Sequence, residues 1–133
     1  MIRYKKPDKN KALSLSESAK SDLDFTLTLP LTEKSANTVI RNIYESFRML
    51  GEALLTNKGI QSEDHVIPIR ELINLDINTK RPLMFLDHLR KMRRNINYYG
   101  YMASKKEAGD VLDFARLNFD LIYRRVLDII KRG

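Results

Sequence analysis

Residues 32–59 read TEKSANTVIRNIYESFRMLGEALLTNKG, and this stretch decides the fold. Ala36, Val39, Ile40, Ile43, Phe47, Leu50 and Leu54 recur every three or four positions. That spacing lays a wide apolar stripe along one side of an α-helix. Thr32 is placed to cap its start. The residue three further on is Ser35 rather than an acid, so no capping box is expected. Gly59, after Lys58, reads as the stop. Glycine tolerates the left-handed conformation beyond a last turn, and a basic side chain there suits the dipole.

Working outward, residues 1–11 are polar and basic and read as a flexible arm. Ser14–Leu29 reads as a first helix, with Leu15, Ala19, Leu23 and Leu27 spaced by four and Pro30 as its end. The alternation in Phe25–Leu29 is too short and isolated to found a sheet. After Gly59 come a loop, Ile60–Asp64, and a short apolar piece, His65–Leu75, interrupted by Pro68. Asp76–Lys80 connects to a third long helix whose first turn holds Pro82. Leu83, Leu86, Leu89, Met92 (or Arg93) and Ile96 keep helical spacing, and Gly100 breaks it. Ser104 and Glu107 form a capping box for the last helix, which runs through Val111, Ala115, Phe119, Ile122, Val126 and Ile129. The expectation is an all-α protein, an antiparallel four- to five-helix bundle over residues 12–133.

Composition narrows the chemistry. The chain has no cysteine, which removes disulfides, thiolate metal sites and a cysteine nucleophile. The first ten residues lack the apolar core of a secretory signal, and no run approaches the ~18 apolar residues of a membrane span. A cytoplasmic protein is expected. No phosphate-binding glycine loop, dinucleotide fingerprint or HExxH motif is present. His65 and His88 stand in different elements, and Asp110 and Asp113 have no histidine in register. No metal and no cofactor is expected.

The net charge of +7 is local. Between residues 80 and 106 stand Lys80, Arg81, Arg90, Lys91, Arg93, Arg94, Lys105 and Lys106, opposed only by Asp87, and the rest of the chain balances. A local basic zone favours polyanions. Within it Arg93, Arg94, Tyr98, Tyr99 and Tyr101 interleave guanidinium forks, which suit phosphate, with rings that stack on bases. On a helix Arg94 and Tyr98 share a face, and Tyr101 joins them if the helix lasts that long. The plain alternative is a helix end with tyrosines packed on neighbours and arginines in water.

The run Arg94-Asn95-Ile96-Asn97-Tyr98-Tyr99-Gly100-Tyr101 resembles the signature of the HEPN superfamily (higher eukaryotes and prokaryotes nucleotide-binding domain). That signature is an arginine, often a polar follower, four to six residues, and a histidine; one toxin branch adds a tyrosine two beyond. Arg94, Asn95 and Tyr101 match, while Tyr99 stands at the histidine position. The likeness extends to Ala36–Gly59 with its Lys-Gly stop, to the following His65 and to the long last helix, so it spans roughly residues 12–130.

The resemblance implies a helical bundle that forms a homodimer and binds RNA or nucleotide. In active members the arginine and histidine cut RNA without metal. Here it implies catalytic positions at Arg94, Asn95 and Tyr99, with Arg93, Arg90 and Tyr98 binding RNA or nucleotide. It also implies a toxin–antitoxin pairing with a minimal nucleotidyltransferase, for which Tyr101 is the modification candidate. A phenol titrates near ~10 and an imidazole near ~6.5, so tyrosine is a poor base at neutral pH. General acid–base help is worth about 10²–10⁴-fold, so cleavage is expected to be weak or absent. The alternative is a non-catalytic nucleotide-binding or protein-interaction module.

Overall fold

The computed structural model describes residues 2–133. Five helices and one two-stranded sheet follow in the order β1 (Ile2–Tyr4), α1 (Lys9–Thr26), α2 (Ala36–Lys58), β2 (Ile60–Ser62), α3 (Val66–Ile73), α4 (Phe85–Tyr99) and α5 (Lys105–Arg132). The protein is an all-α helical bundle. Among the described residues no helix is long and apolar enough to cross a membrane.

The apolar stripe read from the sequence is the centre of the bundle. Ala36, Val39, Ile40, Ile43, Phe47, Leu50 and Leu54 are all buried. The other four helices each pack on α2. Phe47 meets Phe119 edge-on at 5.2 Å and Phe114 at 5.6 Å, which fixes α5 across α2. Phe114 in turn stacks on Phe85 at 4.6 Å, so the start of α4 is held by the same aromatic group. The Arg81 guanidinium covers Phe85 and pairs with Asp110, closing that end over α5.

Several boundaries move for local reasons. α1 begins at Lys9, not Ser14, because the Asp8 carboxylate accepts the Lys11 N–H at 3.0 Å and caps the helix earlier. It stops at Thr26, before Leu29. Thr32 does not cap α2 directly. Its hydroxyl accepts from the Ser35 N–H in a lead-in turn, and the helix starts at Ala36. Pro82 opens a tight turn, with Phe85 N–H donating to its carbonyl, and α4 starts three residues later. Ser104 and Glu107 form the expected capping box.

Within the segment expected as a flexible arm, residues 2–4 form β1 and residues 9–11 begin α1. Ile2, Arg3 and Tyr4 pair antiparallel with Ser62, Gln61 and Ile60. Lys5 N–H donates to the Gly59 carbonyl and Asp8 N–H to that of Thr56. The Thr56 carbonyl, which the Gly59 N–H also reaches, and the Gly59 carbonyl just past the helix thus bind a distant segment to the end of α2. Such pairing carries no local sequence signal.

Gly51, buried in α2, sets how close α3 can come. A Cβ built there would lie 2.1 Å from the Pro68 carbonyl oxygen. The α3 backbone therefore rests directly on the α2 backbone, and this fixes where residues 64–68 stand. Gly51→Ala forces the two helices apart and is expected to destabilise the fold by about 2 kcal/mol. Gly109→Ala in α5, whose Cβ meets nothing nearer than Leu31 Cδ2 at 3.7 Å, is expected to stabilise it by about 0.5–1 kcal/mol. Urea unfolding of the two variants beside the parent measures both; equal effects would contradict the packing described.

Candidate functional site

The basic segment folds as α4 and the turn after it. Leu86, Leu89, Met92 and Ile96 are buried, which turns Arg94, Asn95, Tyr98 and Tyr99 into solvent. Arg90 and Arg93 lie half-buried at the edge of the helix contact. Part of the excess charge is neutralised: Arg81 pairs with Asp110, and Arg90 and Lys91 share Asp87. Lys91 and Arg90 hold the Asp87 carboxyl below its usual range. Arg93 and Arg94 have no carboxylate partner among the described residues.

The structure gathers some of the expected site residues and separates others. Arg94 and Tyr98 stand one turn apart on the same outward face. The Arg93 guanidinium lies 5.8 Å from the Tyr98 ring centroid. Arg94 and Tyr99 do not converge: five positions at ~100° each leave their directions about 140° apart. Tyr98 and Tyr99 are 69% and 75% exposed, so neither packs against the bundle. Asn95 is exposed, and its backbone carbonyl accepts the Tyr101 N–H at 3.0 Å.

Tyr101 does not join the helical face. Gly100 adopts φ 66°, in the left-handed region, and ends α4. The chain then crosses to α2, where Asn37 donates to the Tyr101 carbonyl and accepts the Ala103 N–H. The Tyr101 hydroxyl donates to Glu107 at 2.7 Å, and that bond raises its pKa. Tyr101 is 44% exposed and so remains accessible from solvent.

A second group of residues had no motif to announce it. Asn37, Arg41, Tyr44 and Arg48 recur along α2 at helical spacing; the first three meet α4 or its turn, and Arg48 is bound within α2. Arg41 Nε donates to Asn97 Oδ1 at 2.7 Å. Tyr44 is buried, and the Arg93 guanidinium sits 5.5 Å from its ring centroid. The Tyr44 hydroxyl is 3.0 Å from Nδ1 of His65, just before α3, and the two rings stack at 6.0 Å. Arg48 is bound by both Glu45 and Glu52. Its hydrogen bond holds the Glu45 carboxyl below the usual range. The spacing 37, 41, 44, 48 is a second stripe on α2 that reading for apolar residues alone passes over.

Burial pushes the Tyr44 phenol up to about 12, so it keeps its proton. The His65 imidazole is pushed down by burial first, then by the Arg93 and Arg48 charges. Comparison of the chain with protein-family models, with curated proteins and with solved structures finds no match.

The folded protein thus disfavours protonated His65, and the unfolded chain takes up that proton first as the pH falls. The stabilisation is complete above about pH 6.5 and is lost as the pH drops through the lower folded value. Thermal unfolding between pH 7 and 5 is expected to show a fall in Tm that is shallower in His65→Gln, which cannot titrate. Parallel curves for the two proteins would refute this assignment.

Proposed function

We propose that this chain is an RNA-binding protein of the HEPN type, an RNase-like component of a toxin–antitoxin pair acting in the cytoplasm as a homodimer. The observation that carries the reading is the outward half of α4. There Arg93 and Arg94 lack carboxylate partners among the described residues, Tyr98 stands beside Arg93 and one turn from Arg94, and both Tyr98 and Tyr99 are exposed. Unneutralised guanidinium groups supply the phosphate contacts from which non-specific nucleic-acid affinity arises. Exposed rings supply stacking that accepts any base. The all-helical architecture around a long second helix is what the resemblance implies.

Cleavage by this protein is weak or absent. Tyr99, at the position of the family's histidine, is a poor base, and in a single chain it projects away from Arg94. The Tyr101 hydroxyl is the acceptor for a nucleotidyltransferase partner, and modification there first requires release from Glu107. A second reading, a protein-interaction module, is favoured by one observation: Met102 is 82% exposed next to the exposed tyrosines, an apolar group held in water.

Binding of a labelled single-stranded RNA, followed by anisotropy over a range of salt, tests the first reading. Affinity is expected to fall with salt, and the Arg93→Ala/Arg94→Ala protein is expected to show a log–log slope shallower by about 1.4, two contacts at ~0.7 each. RNA binding that is absent or insensitive to salt would sink it in favour of the second. Rapid cleavage in chelator, abolished by Arg94→Ala, would overturn the argument about Tyr99.

A further inference from the structure

Resting on the RNA-binding reading, one feature of the α2–α4 seam goes beyond it. Tyr44 is buried, and the hydrogen-bond partner of its hydroxyl is His65 Nδ1 at 3.0 Å. A buried hydroxyl must donate to something, and a protonated phenol at this place has only that nitrogen to donate to. Nδ1 is therefore the acceptor and the imidazole is neutral, with its proton on Nε2. Nε2 lies on the ring edge away from Tyr44, and no side chain or carbonyl takes its N–H among the described residues. Tyr44 is thereby a positioning residue. It fixes the tautomer of His65 and, through its ring face, the place of Arg93.

We propose that the Nε2–H of His65 and the guanidinium of Arg93, both braced on Tyr44, form a binding site for a phosphate group of the RNA backbone. The two donors come from different elements, residue 65 before α3 and α4. Their common support is one buried ring within about 6 Å of each. Arg48 is bound by Glu45 and Glu52, and Arg90 is bound to Asp87, so the guanidinium left without a carboxylate partner here, among the described residues, is that of Arg93. Asp64, the remaining neighbouring carboxylate, accepts the Val66 N–H at the start of α3. A neutral imidazole suits phosphate here because it donates without adding a second charge next to Arg93. Arg93, rather than the outward Arg94, is then the arginine that fixes where the strand lies. Arg94 adds affinity from the open face.

Two measurements test this. The first is a long-range nitrogen–proton spectrum of the full chain, in which only two histidines appear and His88→Gln assigns them. His65 is expected to show a neutral ring protonated at Nε2, with a signal that moves when inorganic phosphate is added. The second is RNA binding by anisotropy. His65→Ala and Arg93→Ala are each expected to weaken binding about tenfold, the worth of one charge-assisted hydrogen bond. The double variant is expected to lose less than the product, because both groups hold one phosphate. His65→Gln, whose amide nitrogen reaches the Nε2 position, is expected to recover most of the affinity. That recovery separates a lost donor from a damaged fold.

A His65 signal unmoved by saturating phosphate, or His65→Ala binding RNA as tightly as the parent, overturns the proposal. A signal that moves with phosphate in a protein that binds no RNA leaves the anion site standing and overturns the RNA-binding reading alone.

Discussion

The contact between Gly51 and the Pro68 backbone is the constraint from which the site follows. Helices usually meet through side chains, with axes 8–10 Å apart. Where one face is glycine the partner's backbone can come closer, and here a carbonyl occupies the place of a methyl group. That approach seats α3 low on α2 and brings residue 65, just before its first turn, against Tyr44. A larger residue at 51 would lift the imidazole away from the phenol. The polar geometry at the edge of the bundle is thus set by a packing detail in its interior.

α2 serves two purposes on one cylinder. Its apolar stripe holds the other helices by burial, the non-directional part of the stabilisation. Its second stripe, Asn37, Arg41, Tyr44 and Arg48, is directional: each of these side chains meets a definite partner, at residue 65 before α3, on α4, on the turn after α4, or on α2 itself. Burial decides that α4 packs here, and the polar stripe decides in which register. The basic side chains of α4 are then divided by rotation about its axis. Arg90 and Arg93 flank the seam, Arg94 and Tyr98 face outward, and Tyr99 faces another way.

Elements with local signals were legible in the sequence. The apolar spacing of α2, the Ser104–Glu107 box and the stop at Gly100 each depend on residues a few positions apart. So do the all-helical class and the weight of charge on residues 80–106. What was not legible is what joins distant segments. Lys5 and Asp8 looked like part of an arm because nothing nearby shows that Gly59 and Thr56, respectively, offer them carbonyls. His65 looked like a lone histidine because its partner lies 21 residues back, and Tyr44 looked like one more residue in an amphipathic run. The Arg94–Tyr99 pair illustrates the opposite case. Adjacency in a motif placed them together, but the 3.6-residue period places them apart in one chain.

The pairing of Ile2–Tyr4 with Ile60–Ser62 has a kinetic meaning. α1 and α2 are neighbours in sequence and share the most extensive contact in the bundle, so they can associate after closing only a short loop. The strand pair must close a loop that contains both of those helices, and it has nothing to pair with until α2 has ended at Gly59. Ile2–Tyr4 are therefore the last to be secured. On unfolding they are the first to leave, as a small unit whose opening exposes the end of α2 while the aromatic core stays closed.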